Sequence, residues 1–145
     1  MWRRRLTGVG QLLAILAWMG ALPVLKYLLP LRTLVRIMWA APRPRPPGAG
    51  PPLQTAALIR RLYTVPRRVR DANCLERSLL TYRFLARQGV APQLVIGMRR
   101  APGGVLGHVW VLVDQQPVGE SGASVQEFRP VAVFGARGQV QAPGR

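Results

Sequence analysis

The sequence predicts an α+β fold: a helix that begins at Cys74 packs on an antiparallel sheet, and a helical segment precedes both. Three observations carry this reading. Leu75, Leu79, Tyr82 and Leu85 recur on one helical stripe. Apolar and β-branched runs, "PQLVIGMRR", "VLGHVWVLV" and "PVAVF", follow with turn residues between them. The first 40 residues are apolar and interrupted by Pro23 and Pro30. The length of 145 residues suits one domain with an extension, and 49% apolar residues supply a core and exclude wholesale disorder.

Taken in order, "MWRRR" followed by "LTGVGQLLAILAWMGALPVL" has basic residues and then an apolar span of about 20 residues, the length that crosses a bilayer. The next piece shifts the balance. Leu28, Leu29, Leu31, Leu34, Val35 and Met38 follow helical spacing, with Arg32 and Arg36 on another face. Residues 1–40 therefore read as two helices broken near Pro23 and Pro30, with a membrane or membrane-surface anchor as the second reading. A cleaved signal is the weakest, since no good cleavage site follows the apolar run.

Residues 41–52, "APRPRPPGAGPP", hold six prolines and two glycines and read as an extended linker. A core follows over residues 53–134. Leu53, Ala56, Ala57, Ile59 and Leu62 predict a short helix ending near Pro66, and the helix from Cys74 to Arg87 stops at Gly89. "PVGE" is the expected hairpin partner of "VLGHVWVLV". Residues 135–145 read as a flexible, frayed tail.

The net charge of +16 comes from 21 basic and 5 acidic residues, and Lys26 is the only lysine. No zinc finger, RNP-type strand or helix-turn-helix pattern accompanies it, so the composition is read without nucleic-acid binding. A basic surface for an acidic peptide or anionic lipid accounts for the charge. One cysteine excludes an internal disulfide framework and a cysteine-rich metal site; no cofactor or metal is expected.

The chemistry-bearing residues are few. At a helix start, unpaired amides and the helix dipole favour the thiolate of Cys74, and those amides can stabilise an oxyanion. A buried structural cysteine is the plain alternative. His108, the only histidine, sits mid-strand, and Cys followed by His on a later strand fits nucleophilic catalysis. A third group should orient the imidazole, and the acids are Asp71, Glu76, Asp114, Glu120 and Glu127. Six strand residues put Asp114 about 20 Å from His108. Glu120 returns beside it if Asp114-Gln115-Gln116 form a three-residue loop, pairing Val113 with Pro117 and Trp110 with Glu120. A two-residue loop without a bulge would turn Glu120 to the wrong face. Among supporting residues, Arg77 either steadies the site or binds the leader, or is a solvated or structural arginine. Trp110 shares the face of His108 and either walls the cleft or packs in the core. Asn73 caps the helix or donates near the oxyanion.

"CLERSLLTYRFLARQGVAPQLVIGMRR" followed by "GHVWVLVDQQPVGE" resembles the transglutaminase-like cysteine peptidases of lasso-peptide biosynthesis. Cys74, Arg77, Ser78, Gly89, Gly97, His108 and Trp110 occupy that family's pattern, and Glu120 falls twelve positions after the histidine. Residues 53–120 carry the resemblance, and "LLPLRTLVRIMW" is similar to the helical segment before the core. Val109 stands where the family usually has Ala, and Glu120 where it has Asp. The resemblance implies a papain/transglutaminase-like core with a Cys74-His108-Glu120 triad. It also implies a substrate, a ribosomally made precursor whose leader is cleaved in the bacterial cytoplasm. The implied partners are a separate leader-recognition protein and the macrolactam-forming cyclase. A transglutaminase-like acyltransferase and a non-catalytic, membrane-associated basic binding protein are the alternatives.

Overall fold

The computed structural model describes residues 2–44, 51–64 and 73–142. Five antiparallel strands form one sheet in the order β3-β2-β1-β4-β5, built from β1 (Gln93–Ala101), β2 (Gly104–Val113), β3 (Gln116–Pro117), β4 (Arg129–Phe134) and β5 (Val140–Gln141). The helices are α1 (Trp2–Leu28), α2 (Leu31–Met38), α3 (Pro52–Thr64), α4 (Cys74–Arg87) and the short α5 (Gly122–Gln126). This is the α+β architecture expected, with the cysteine helix on an antiparallel sheet and helices before it.

α4 is the central element. Glu76, Ser78, Leu79, Leu80, Thr81, Tyr82, Phe84, Leu85 and Ala86 are all buried, so it is enclosed on nearly every side. Val109 and Val111 of β2, Leu94 of β1 and Phe134 of β4 meet it from one side. Ile15 and Leu22 of α1, Leu34, Val35 and Met38 of α2 and Ile59 of α3 belong to the same apolar cluster from the other. Because strand side chains alternate, the opposite sheet face carries Val95, Trp110 and Val133, which pack with Val125 and Phe128 in a smaller cluster.

The N-terminal segment is thus a third layer over α4. α1 runs unbroken through Pro23, contrary to the break expected there. Proline removes one helical hydrogen bond, but its ring lies on the exposed side while Ile15 and Leu22 are fully buried before it. The break falls only at Pro30, before α2. Lys26 Nζ lies 2.7 Å from Oε1 of the buried Glu76 on α4, and that hydrogen bond holds the lysine pKa above its ordinary value. The Thr55 hydroxyl of α3 accepts from Gln11 of α1 (2.9 Å) and from Gln88 just past α4 (2.8 Å). By length and composition Val9–Leu28 could also cross a membrane. Val9, Leu13, Leu16, Val24 and Leu28 are exposed on it.

Of the expected linker, residues 45–50 lie outside the described residues, as does the helix end near Pro66. Arg43 N–H donates to the Arg87 carbonyl at 2.9 Å, and Pro52 already occupies the first turn of α3, where a missing N–H costs nothing. Gly89, at φ +79°, ends α4 as expected.

The tail differs from expectation. Ala136–Gly138 form a 3-10 turn and Val140–Gln141 pair with β4; residues 143–145 lie outside the described residues. The reason is Tyr82. Its hydroxyl donates to the Gly135 carbonyl at 2.6 Å and accepts from the Gly138 amide at 3.0 Å. Burial raises the Tyr82 pKa, so the donor proton is retained. The Gly138 amide also donates to the Gly135 carbonyl at 3.2 Å across the turn, so removing the hydroxyl weakens the turn without leaving either group unpaired, and Tyr82→Phe should lower unfolding stability by about 0.5–1.5 kcal/mol and speed amide exchange at Gly138. An unchanged denaturation midpoint would show that the tail is held some other way.

Candidate active site

Three local features bring the chemistry-bearing residues together. The first is the start of α4. Arg77 N–H donates to Asn73 O at 3.0 Å, so the amides of Cys74, Leu75 and Glu76 precede the first intrahelical bond of the helix. Cys74 is half-buried at this start. Asn73 makes no side-chain capping bond, so the capping expected of it is absent.

The second feature is the β2–β3 hairpin. Leu112 pairs with Pro117 and Val113 with Gln116, so the loop has two residues and not three. Asp114 and Gln115 both have positive φ (49° and 63°), the conformation that matches hairpin twist. The usual glycine that advertises such a turn is missing from the sequence. Continued in that register, Glu120 would oppose Val109 and face α4, away from His108. Gly119 corrects this. Val118 N–H still donates to Val111 O at 2.9 Å, and the chain then turns out of the ladder at Gly119, φ +75°. Arg60 of α3 donates to the Gly119 carbonyl at 2.6 Å.

The third is the β2 edge that this exit leaves open. The carbonyl of Val109 points the same way as that of Val111, beyond the end of the ladder with β3. The Ser78 hydroxyl of α4 takes it, at 2.8 Å and fully enclosed. The cysteine helix is thereby fastened to the residue next to His108.

Glu120 then meets two partners at once. Its Oε2 lies 2.6 Å from His108 Nε2 and its Oε1 2.5 Å from Arg77 Nη2. The carboxylate is only 13% exposed, so neither contact is strongly screened. Nε2 being engaged, Nδ1 is the ring nitrogen left to exchange a proton with a nucleophile. Phe128 packs against the imidazole with ring centroids 5.1 Å apart, and Trp110 stacks on it at 5.9 Å. Trp110 is 4% exposed and belongs to the core cluster, so it backs the ring from below. A Cβ on Gly97, directly across the ladder from His108, would come within 2.6 Å of that indole, which is why this strand has glycine there.

Cys74, Arg77, His108 and Glu120 line one open cleft of about 650 Å³, with Arg60, Arg99 and Phe128 among its other walls. The expected residues Cys74, His108, Glu120 and Arg77 are therefore together, while Asn73 and Trp110 do not line it. Asp71 lies outside the described residues; Asp114 is in the hairpin turn, Glu76 pairs with Lys26 and Glu127 approaches Arg99. Nothing in the sequence singles out Phe128, Arg99 or Arg60 as cleft residues. Phe128 and Arg99 follow only from knowing that β1 and the segment after α5 flank His108.

A family model described as "Transglutaminase-like superfamily" matches residues 16–133, most of the chain. No curated protein and no solved structure matches it.

His108 is the only histidine, so its ¹⁵N imidazole signals report on this site alone. Neutral wild-type protein should show the Nε2–H tautomer, donating to Glu120, and Glu120→Ala should relax that preference toward a mixture. A wild-type Nδ1–H tautomer would contradict the geometry.

Proposed function

We propose that this chain, which belongs to the transglutaminase-like superfamily, is a cysteine peptidase that removes the leader from a ribosomally made lasso-peptide precursor. The superfamily supports cysteine peptidase or acyl-transfer chemistry in general terms. The observation that carries the catalytic part is the His108 Nε2–Glu120 Oε2 contact of 2.6 Å in the cleft that Cys74 opens. The resemblance of the Cys74–Arg87 and His108–Glu120 stretches to lasso-peptide leader peptidases supports the substrate.

In this reading the Cys74 thiol gives its proton to His108 Nδ1 and the sulfur attacks the carbonyl carbon of the scissile bond. The oxyanion is stabilised by amides at the start of α4. The C–N bond breaks as the imidazolium returns the proton to the leaving amine, leaving a thioester. Water, deprotonated by His108, then attacks the thioester; the acid is released and the Cys74 thiol regenerated. Glu120 holds the ring and balances the imidazolium, and Arg77 holds Glu120. A separate recognition protein would deliver the precursor in the cytoplasm, and the cyclase would take the product. The exposed apolar side of α1 would serve docking on that cyclase or on the membrane.

An acyltransferase is the second reading, since a thioester can be resolved by an amine as readily as by water. Incubating the protein with its genetically linked precursor and following the products by mass spectrometry separates the two: hydrolysis adds one water across the cut bond, amide exchange adds the amine. Cys74→Ala should abolish product, and His108→Ala should reduce it by at least about 10²-fold. A Cys74→Ala protein that processes precursor like wild type would sink both enzymatic readings and leave a scaffold.

A further inference from the structure

The cleft is richer in positive charge than the triad needs. Three arginines, Arg60, Arg77 and Arg99, line it against one carboxylate, Glu120. Both oxygens of Glu120 are already taken, by Arg77 and His108. Arg77 is committed to that carboxylate, and Arg60 donates to the Gly119 carbonyl. Arg99 is different. Among the described residues its side chain makes no hydrogen bond, and its Nε is enclosed without a partner. Its nearest carboxylate is Glu127, 3.7 Å away and 62% exposed, a loose contact in water that contributes little.

Yet Arg99 is held in place. Its guanidinium lies over the Phe128 ring, 5.3 Å from the centroid, and the same ring packs on His108. Stacking fixes the plane of a guanidinium while leaving its hydrogen-bonding edge free. Arg99 lies two residues along β1 from Gly97, the cross-strand partner of His108. Two strand residues span about 6–7 Å, the length of two residues of an extended peptide.

From this we infer that Arg99 is a specificity residue that binds a carboxylate side chain of the substrate, so the preferred peptide carries Asp or Glu within two residues of the scissile bond. The inference rests on the proposed peptidase reading and names its substrate class. The carboxylate accepts two parallel hydrogen bonds from the two terminal guanidinium nitrogens, the enclosed Nε staying beside Glu127, and offsets the excess charge of the cleft. Lysine at position 99 would keep the charge and lose the fork.

The test uses binding, so that it does not depend on turnover. Full-length Cys74→Ala protein is titrated against dansyl-labelled octapeptides that carry a single Asp at each position in turn, and against their Asn counterparts. At one or two adjacent positions Asp should bind about 10- to 100-fold tighter than Asn. That preference should vanish in the Arg99→Gln variant, shrink in Arg99→Lys and survive in Arg100→Gln, which removes the same charge from the exposed neighbour. Equal affinity for Asp and Asn peptides, no binding of either, or a preference that survives Arg99→Gln would overturn the inference. Selective binding by a protein whose wild-type form cuts nothing would overturn the peptidase reading and keep this one. Cleavage of Asp and Asn peptides at equal rates would do the reverse.

Discussion

One carboxylate sets the geometry on which the cleft depends. Glu120 spans the gap between a helix and a strand, bonding Arg77 of α4 through one oxygen and His108 of β2 through the other. Neither oxygen is free to swing, because each is fixed by a charged or polar group on a different element. Arg77 lies one turn along the helix that Cys74 begins, so the nucleophile and the group that orients its base are tied to the same rigid rod. The buried Ser78–Val109 hydrogen bond repeats the connection one residue away on each side. Loss of either tie lets the helix and strand slide, and Å-scale slippage is costly for a proton transfer.

The carboxylate has room to act because two backbone irregularities are placed around it. β3 is only two residues long, and Gly119 turns the chain outward where a continued ladder would have pointed Glu120 into the core. The early end of β3 exposes the edge of β2, and α4 begins at that edge. His108, on the sheet face away from α4, and Cys74, on the helix that covers the other face, therefore reach the same cleft around the free edge. A longer β3 would close this route.

Much of the arrangement is legible in the sequence because strong local signals agree there. Helical periodicity from Leu75 to Leu85, the stop at Gly89 and the strand runs around Gly97 and His108 all specify their elements without tertiary help. The three-residue loop that the sequence suggests before Glu120 is not the one the chain forms. The sequence offers Asp114-Gln115, which lacks the glycine of a two-residue turn, and the correction at Gly119 depends on Arg60 from a distant helix. Pro23 and the C-terminal tail differ from the local expectation for the same kind of reason. The burial of Ile15 and Leu22 overrides a local helix breaker, and the Tyr82 hydroxyl orders a segment with little propensity of its own. Phe128 and Arg99 are invisible in one dimension because only the sheet register brings them beside His108.

The residues that form the cleft chemistry run without interruption from Cys74 to Glu120, through one helix and one meander. β4 arrives later and inserts on the far side of β1, next to a strand that is already paired. Loop closure across such a contiguous stretch is entropically mild, so the nucleophile, its base and the orienting acid need no direct contact with β4 or β5 to come together. Those strands buttress β1 from the side away from β2, so damage to them would reach the site through stability and not through chemistry.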